Sequence, residues 1–334
     1  MKIYLAGDSI VQNYEKEEFI AGWGRQFLPF FIKDGVEVVN DAKGGRSSRL
    51  FINEGRFDNI EKNISAGDYL LIEFCHNDDA SKEYKTMFNR LTPLGEPDSD
   101  GRFPIIPGEV MPKDYIPPEY IDALRKDENV KDKQAVLDSV YKILESYPHD
   151  TYYPYSADGS KGTYLWFLKQ FVDMAREKGA VPVFVTAPAR TVYDANGNIK
   201  DGAGLHGGNN FAYIRAMKQL GEEAKVPVID LFAYSCGLYK QIGKEKIHWI
   251  TSIKKGCNKG IWPDDFNSEM QKKETVSEDT HFNKYGAMLI TQGLVKLIKE
   301  SDSSQLDGLK GMLKNPDGID IEKYVKKPLV FEEF

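Results

Sequence analysis

Five short segments stand directly behind apolar runs or ahead of an amphipathic one: Gly7-Asp8-Ser9-Ile10, residues 41–49, Cys75-His76-Asn77-Asp78, Ala187-Pro188-Ala189-Arg190 and Glu278-Asp279-Thr280-His281-Phe282. Four of them hold a small hydroxyl, a glycine, an amide or an imidazole, the groups that acyl transfer uses. A serine hydroxyl is a poor nucleophile until a base removes its proton, and an imidazole steadied by a carboxylate is the usual base. The oxyanion that then forms needs N–H donors already aimed at it. Ser9 is the candidate nucleophile and His281 the candidate base. Gly-Asp-Ser taken alone is more often a β-turn than a nucleophile, and Asp8 suits a turn role, accepting from nearby N–H groups.

To bring such distant segments together, the chain needs a scaffold with loops at one edge. Apolar runs rich in β-branched residues occur at 2–6, 36–40, 69–74, 181–186 and 226–231, without the polar alternation of half-exposed strands. They read as strands buried on both faces. Helical patterns lie at about 24–33, 57–63, 164–178, 210–224 and 283–300, and Gly35 and Gly179 sit where left-handed caps end two helices. Strand–helix alternation implies a parallel sheet with right-handed crossovers and helices on both faces. In such sheets ligands bind beyond the carboxyl ends of the strands, where most of these segments fall.

Residues 79–160 break the rhythm. They hold nine of the sixteen prolines, which remove backbone donors and restrict their predecessors. This stretch reads as an insertion near the site, with short helices at about 118–125 and 132–145. The expected organisation is one domain over 1–300, with the tail 301–334 packing back on the body.

In these positions Gly7-Asp8-Ser9 resembles block I of the SGNH (GDSL) hydrolases, Gly45 the block II glycine, Asn77 the block III asparagine and His281 the block V histidine. The wording of Gly44-Gly45-Arg46-Ser47-Ser48-Arg49, His76-Asn77-Asp78 and Thr280-His281-Phe282 is similar to the rhamnogalacturonan acetylesterase branch, which deacetylates pectin fragments. The resemblance covers about 1–78 and 161–300. It implies a three-layer α/β/α flavodoxin-like fold, with strand order 2-1-3-4-5 and the insertion after the third strand. It also implies an acyl-Ser9 intermediate with His281 as base, and an oxyanion hole formed by the N–H groups of Ser9 and Gly45 and the amide of Asn77. Two positions depart from the family. Glu278 stands where the family places Asp three residues before the histidine, and it is the expected orienting acid, with Asp279 the alternative. Cys75 stands where the family usually has glycine.

Arg46, Arg49 and Arg190 follow strand ends. Surface ion pairs are the ordinary fate of arginine, and a clamp on an anionic sugar is the other reading, because guanidinium grips carboxylates with two bonds. Arg46, His76 and Arg190 are the candidate substrate contacts. A packed structural role suits His76 equally well. His206, in a glycine-rich loop, and His149 and His248 read as solvated or packed. Tyr152, Tyr153, Tyr155 and Trp166 read as core or loop anchors, with a sugar-stacking platform as the alternative.

Composition narrows the class. The 334 residues are 41% hydrophobic and 12% aromatic, enough for a large core, and 44 basic against 51 acidic residues leave a net charge of −7. That charge disfavours a nucleic-acid partner. Cys75, Cys236 and Cys257 form no disulfide or zinc pattern and read as inert thiols. Neither a cofactor nor a metal is implied. No apolar run is long enough to span a membrane, and the apolar stretch at 3–6 is too short for a leader core, so the expected location is cytoplasmic, with a secreted form trimmed of its leader as the alternative. The expected substrate is an O-acetyl group on a pectin-derived oligosaccharide. Xylan acetyl, lipid and thioester substrates are rivals within the class, and a carbohydrate-binding protein without turnover is the rival outside it. Oligomeric state is left open. A histidine base further implies that activity falls on the acid side, where imidazoles take up a proton.

Overall fold

A computed structural model describes residues 1–14, 20–26, 30–79, 90–108, 111–112, 126, 128, 131–135, 137–138, 151–152, 159–200, 210–253 and 277–321. Five parallel strands, β1 (Lys2–Gly7), β2 (Glu37–Asn40), β3 (Tyr69–Glu73), β4 (Val181–Val185) and β5 (Val228–Ile229), form a sheet in the order β2-β1-β3-β4-β5. This is the expected doubly wound order, and it places the carboxyl ends of β1 and β3 side by side: Gly7 pairs with Glu73.

The strands are apolar on both faces because each face meets helices. Ile3, Leu5, Leu71, Val183 and Val185 pack into one core, and Tyr4, Ala6, Leu70, Ile72 and Phe184 into the other. That two-residue alternation separates the layers. On one side lie α1 (Trp23–Gln26), α6 (Leu231–Ile242), α7 (Lys284–Glu300) and α8 (Asp307–Met312). On the other lie α2 (Ser48–Asn53), α3 (Arg56–Asn63), α4 (Tyr164–Glu177) and α5 (Asn210–Ala224). Gly35 and Gly179 take φ of +82° and +73° at the helix-to-strand turns, a backbone region that glycine enters at no steric cost. The start of the tail is part of the body: Leu306, Leu309, Met312, Leu313 and Ile321 are buried in the same core as α7. Among the described residues no helix is long and apolar enough to cross a membrane.

The structure departs from the sequence expectation in three places. The expected strand at 226–231 is only two residues long, because the Asp230 carboxylate accepts from the Ala233 N–H and starts α6. A short polar cap wins there over the β-branched run. Helix α2 arises inside a segment expected to be a site loop: Ser47 accepts from the Leu50 N–H and caps it. An antiparallel pair, β6 (Thr251–Ile253) and β7 (Ser277–Phe282), carries the last candidate segment. Most of the two helices expected inside the insertion, along with His149, His206, Tyr153, Tyr155 and Cys257, lies outside the described residues.

Candidate active site

The turn after β1 is built by Asp8. Its carboxylate accepts from the Ile10 N–H at 2.9 Å, and its carbonyl from the N–H groups of Val11 and Gln12 at 3.2 and 3.1 Å. This leaves Ser9 at the crest, 7% exposed. The turn after β2 is fastened to it: the Lys43 N–H donates to the Gly7 carbonyl at 3.1 Å, and the Gly44 N–H to the Gln12 side chain. A Cβ on Gly44 would lie 3.4 Å from that of Ser9, so the two turns touch.

The turn after β3 is tied to both. Asn77 Nδ2 donates to Asp8 Oδ2 at 3.0 Å. Asp78 accepts from the Ser48 N–H at 3.0 Å and from its hydroxyl, and so pins the start of α2. Among the described residues no acceptor holds the N–H of Ser9 or Gly45, and Asn77 keeps its second amide hydrogen. Gly45 has φ of +81°, and a Cβ there would lie 2.9 Å from Arg90 Nη2. The positive φ favours glycine at 45, and the guanidinium of Arg90 lies close against it.

His281 reaches the same point from the other side of the chain. Its Nε2 lies 2.8 Å from Ser9 Oγ. Three contacts fix its strand: the Ala21 N–H donates to the Phe282 carbonyl at 2.8 Å, β6 pairs alongside, and Asn283 caps α7 through the Gly286 N–H at 2.9 Å. Thr251 pairs with Phe282 and Ile253 with Ser277, with the register slipping between them. Extra residues on β7 therefore form a bulge, and the strict alternation of faces is lost there. Glu278, three residues before His281, is thus not forced to the opposite face. Its backbone lies in β7; its side chain lies outside the described residues. The Asp279 carboxylate is engaged elsewhere, paired with Arg190 and accepting from the Thr280 hydroxyl at 3.1 Å. Burial alone would raise its pKa, but the hydrogen bond and charge of Arg190 outweigh that and hold it below the ordinary value.

Each of the three residues offered as substrate contacts has a partner within the chain. Arg46 grips Glu54 with two 2.8 Å bonds and donates a third to the Gly44 carbonyl. Arg190 braces β7 through Asp279 and donates to Thr280 Oγ1 at 3.1 Å. His76 is buried, with Nε2 2.9 Å from the Pro188 carbonyl. A guanidinium beside an internal carboxylate satisfies itself there, which is why strand-end position alone did not single out a ligand contact. Trp166 is half-buried, edge-on to Phe167 at 4.8 Å. Arg90 escaped the sequence reading. It sits in a proline-rich insertion with no pattern to mark it, yet its Nη1 lies 3.4 Å from Asn77 Oδ1.

Beneath the site three carboxyl groups are fully buried. Burial raises Asp8 to about 6, against the pull of the Ile10 N–H, His281, Asn77 and Arg90. Burial raises Asp78 to about 7 despite its bonds to Ser48 and Thr92. Burial, with the charges of Asp8 and Asp78, drives Glu73 well above the carboxylate range. Cys75 is pushed up by burial too, so it is an inert thiol. A raised carboxyl binds its proton more tightly in the native than in the unfolded chain. Native stability therefore falls as pH climbs from the ordinary 3.8 through the raised values. Melting temperature should be higher at about pH 5.5 than at about pH 8. Asp78→Asn, which keeps an acceptor for Ser48, should flatten that difference. A melting temperature that rises over this interval would contradict the assignment.

No protein-family model matches the chain. Rhamnogalacturonan acetylesterase RhgT of Bacillus subtilis (strain 168) is 30% identical over 301 residues, covering 90% of this chain and 90% of RhgT. The probable rhamnogalacturonan acetylesterase YesY of the same organism is 30% identical over 299 residues, covering 89% and 92%. The crystal structure of protein YxiM from Bacillus subtilis shares the fold, with a TM-score of 0.52 at 18% identity; the match covers 91% of this chain and 57% of that longer one. A serine hydroxyl against an imidazole at the carboxyl edge of a 2-1-3-4-5 sheet, in a chain like RhgT along nearly its whole length, leaves one assignment: the chain belongs to the SGNH (GDSL) hydrolases and is a carboxylic ester hydrolase.

Proposed function

We propose that the protein removes O-acetyl groups from pectin-derived, rhamnogalacturonan-type oligosaccharides through an acyl-Ser9 intermediate. Ser9 Oγ attacks the acetyl carbonyl carbon and passes its proton to His281 Nε2. The carbonyl oxygen becomes an oxyanion facing the N–H groups of Ser9 and Gly45 and the free amide hydrogen of Asn77. The carbon–oxygen bond to the sugar breaks, and the sugar oxygen takes the proton from His281. Water then attacks the acetyl-serine, again giving its proton to His281. Acetate leaves, and the proton returns to Ser9.

The observation that carries this reading is the 2.8 Å approach of His281 Nε2 to Ser9 Oγ. The names of the two relatives, each alike over about nine-tenths of this chain, support the sugar acetate as substrate. Glu278 is the orienting acid in this scheme, since Asp279 is committed to Arg190. Turnover should drop strongly in Glu278→Gln and weakly in Asp279→Asn. The reverse order would move the acid one residue along.

Acetate release from a panel of acetylated pectin and xylan oligomers, with Ser9→Ala as control, tests the substrate. Release from rhamnogalacturonan oligomers well above that from xylan oligomers is expected. Equal or greater release from xylan, or a nitrophenyl ester series that peaks beyond butyrate, would reject it.

A further inference from the structure

We propose that Arg90 is a positioning residue of the oxyanion hole, holding the Asn77 side-chain amide with its N–H end toward the reacting carbonyl. An asparagine amide has two nearly isosteric orientations, and only one offers a donor to an oxyanion. Here its two ends meet opposite charges: Nδ2 donates to Asp8 Oδ2 at 3.0 Å, and Oδ1 accepts from Arg90 Nη1 at 3.4 Å. Turning the amide over would set its NH₂ against a guanidinium and its oxygen against a carboxyl. Asp8 alone is a weaker guard. It lies among His281, Arg90, Glu73 and Asp78, and a protonated Asp8 could donate to the oxygen end. A guanidinium keeps its charge at every working pH.

Arg90 is also held in place. The Leu91 carbonyl accepts from buried Arg49 Nε at 2.8 Å, and the Thr92 N–H donates to the Asp78 carbonyl at 3.0 Å. The Thr92 carbonyl accepts from the Tyr213 hydroxyl at 2.8 Å, and the Pro93 carbonyl from the Tyr164 N–H at 2.8 Å. Four bonds into the hydrolase body thus fix the segment that presents Arg90 between Gly45 and Asn77. Residues 90–93 are a described part of the insertion that reaches the site.

The test is a double-mutant cycle on 4-nitrophenyl acetate, an ester with no carboxylate to clamp. Arg90→Met should lower kcat about tenfold or more while KM stays within about twofold. In an Asn77→Ala background the same change should cost less than about twofold, because the group it acts through is gone. Arg90→Lys should recover part of the loss; if Arg90→Met fails to fold, as a thermal melt would show, Arg90→Lys and Arg90→Gln complete the cycle. Additive losses, an unchanged kcat, or a defect confined to KM on galacturonate-bearing esters would overturn the proposal, the last marking Arg90 as a substrate clamp. Failure of the wild-type protein to turn over the ester would instead count against the hydrolytic scheme of Ser9 and His281.

Discussion

Ser9→Ala should lower turnover of any ester by about 10⁴-fold or more. The size follows from what remains. Removing the hydroxyl deletes the covalent route, while the donor ring at Gly45 and Asn77 can still polarise a carbonyl for slow attack by water. The fold has little stake in the change: among the described residues the Ser9 hydroxyl bonds to His281 alone, and the turn rests on Asp8 and its bonds to Ile10, Val11 and Gln12. An unchanged melting temperature with activity lost is therefore the expected pair of results, read by thermal melts and by initial rates on 4-nitrophenyl acetate. A variant within tenfold of wild type would mean that the 2.8 Å contact with His281 has no part in turnover.

Asn77→Ala should reduce kcat by about 10²–10³-fold with KM little changed, since the lost hydrogen bond forms only once charge develops on the carbonyl oxygen. This substitution also costs stability. Asp8 loses the Nδ2 donor that now meets one of its oxygens, and a buried polar group left without its partner costs about 1–3 kcal/mol. Melting temperature should fall, which separates Asn77 from Ser9. A rate loss below about fivefold would take Asn77 out of the oxyanion hole.

The segments behind the strands were legible because a parallel sheet leaves little choice. Buried strands announce themselves as unbroken apolar runs, and whatever follows them lies at the carboxyl edge. Ser9, the Gly44–Gly45 turn and Asn77 gather at one point for that reason, and His281 joins them from the separate β6–β7 pair. Contacts that depend on which side chain satisfies which neighbour were not legible. Arg46 and Arg190 do form ion pairs, the ordinary fate of arginine, but nothing in the sequence names Glu54 and Asp279 as their partners. No pattern along the chain pairs residues through space. The same limit hid Arg90, thirteen residues beyond Asn77 in a proline-rich stretch. Helices α2 and α6 are hidden in the sequence because Ser47 and Asp230 suit a site loop and a strand end as well as the helix caps they form. Strand β7 was missed because a bulged polar strand lacks the alternation that marks a half-buried one.

The central claim is that Ser9 becomes covalently acylated with His281 as its base. Mass spectrometry after exposure to a fluorophosphonate tests it most directly. One adduct per chain, on the peptide holding Ser9, formed quickly by the wild type and far more slowly by His281→Ala, is the expected result. No adduct, an adduct on another residue, or labelling as fast without the imidazole would contradict it.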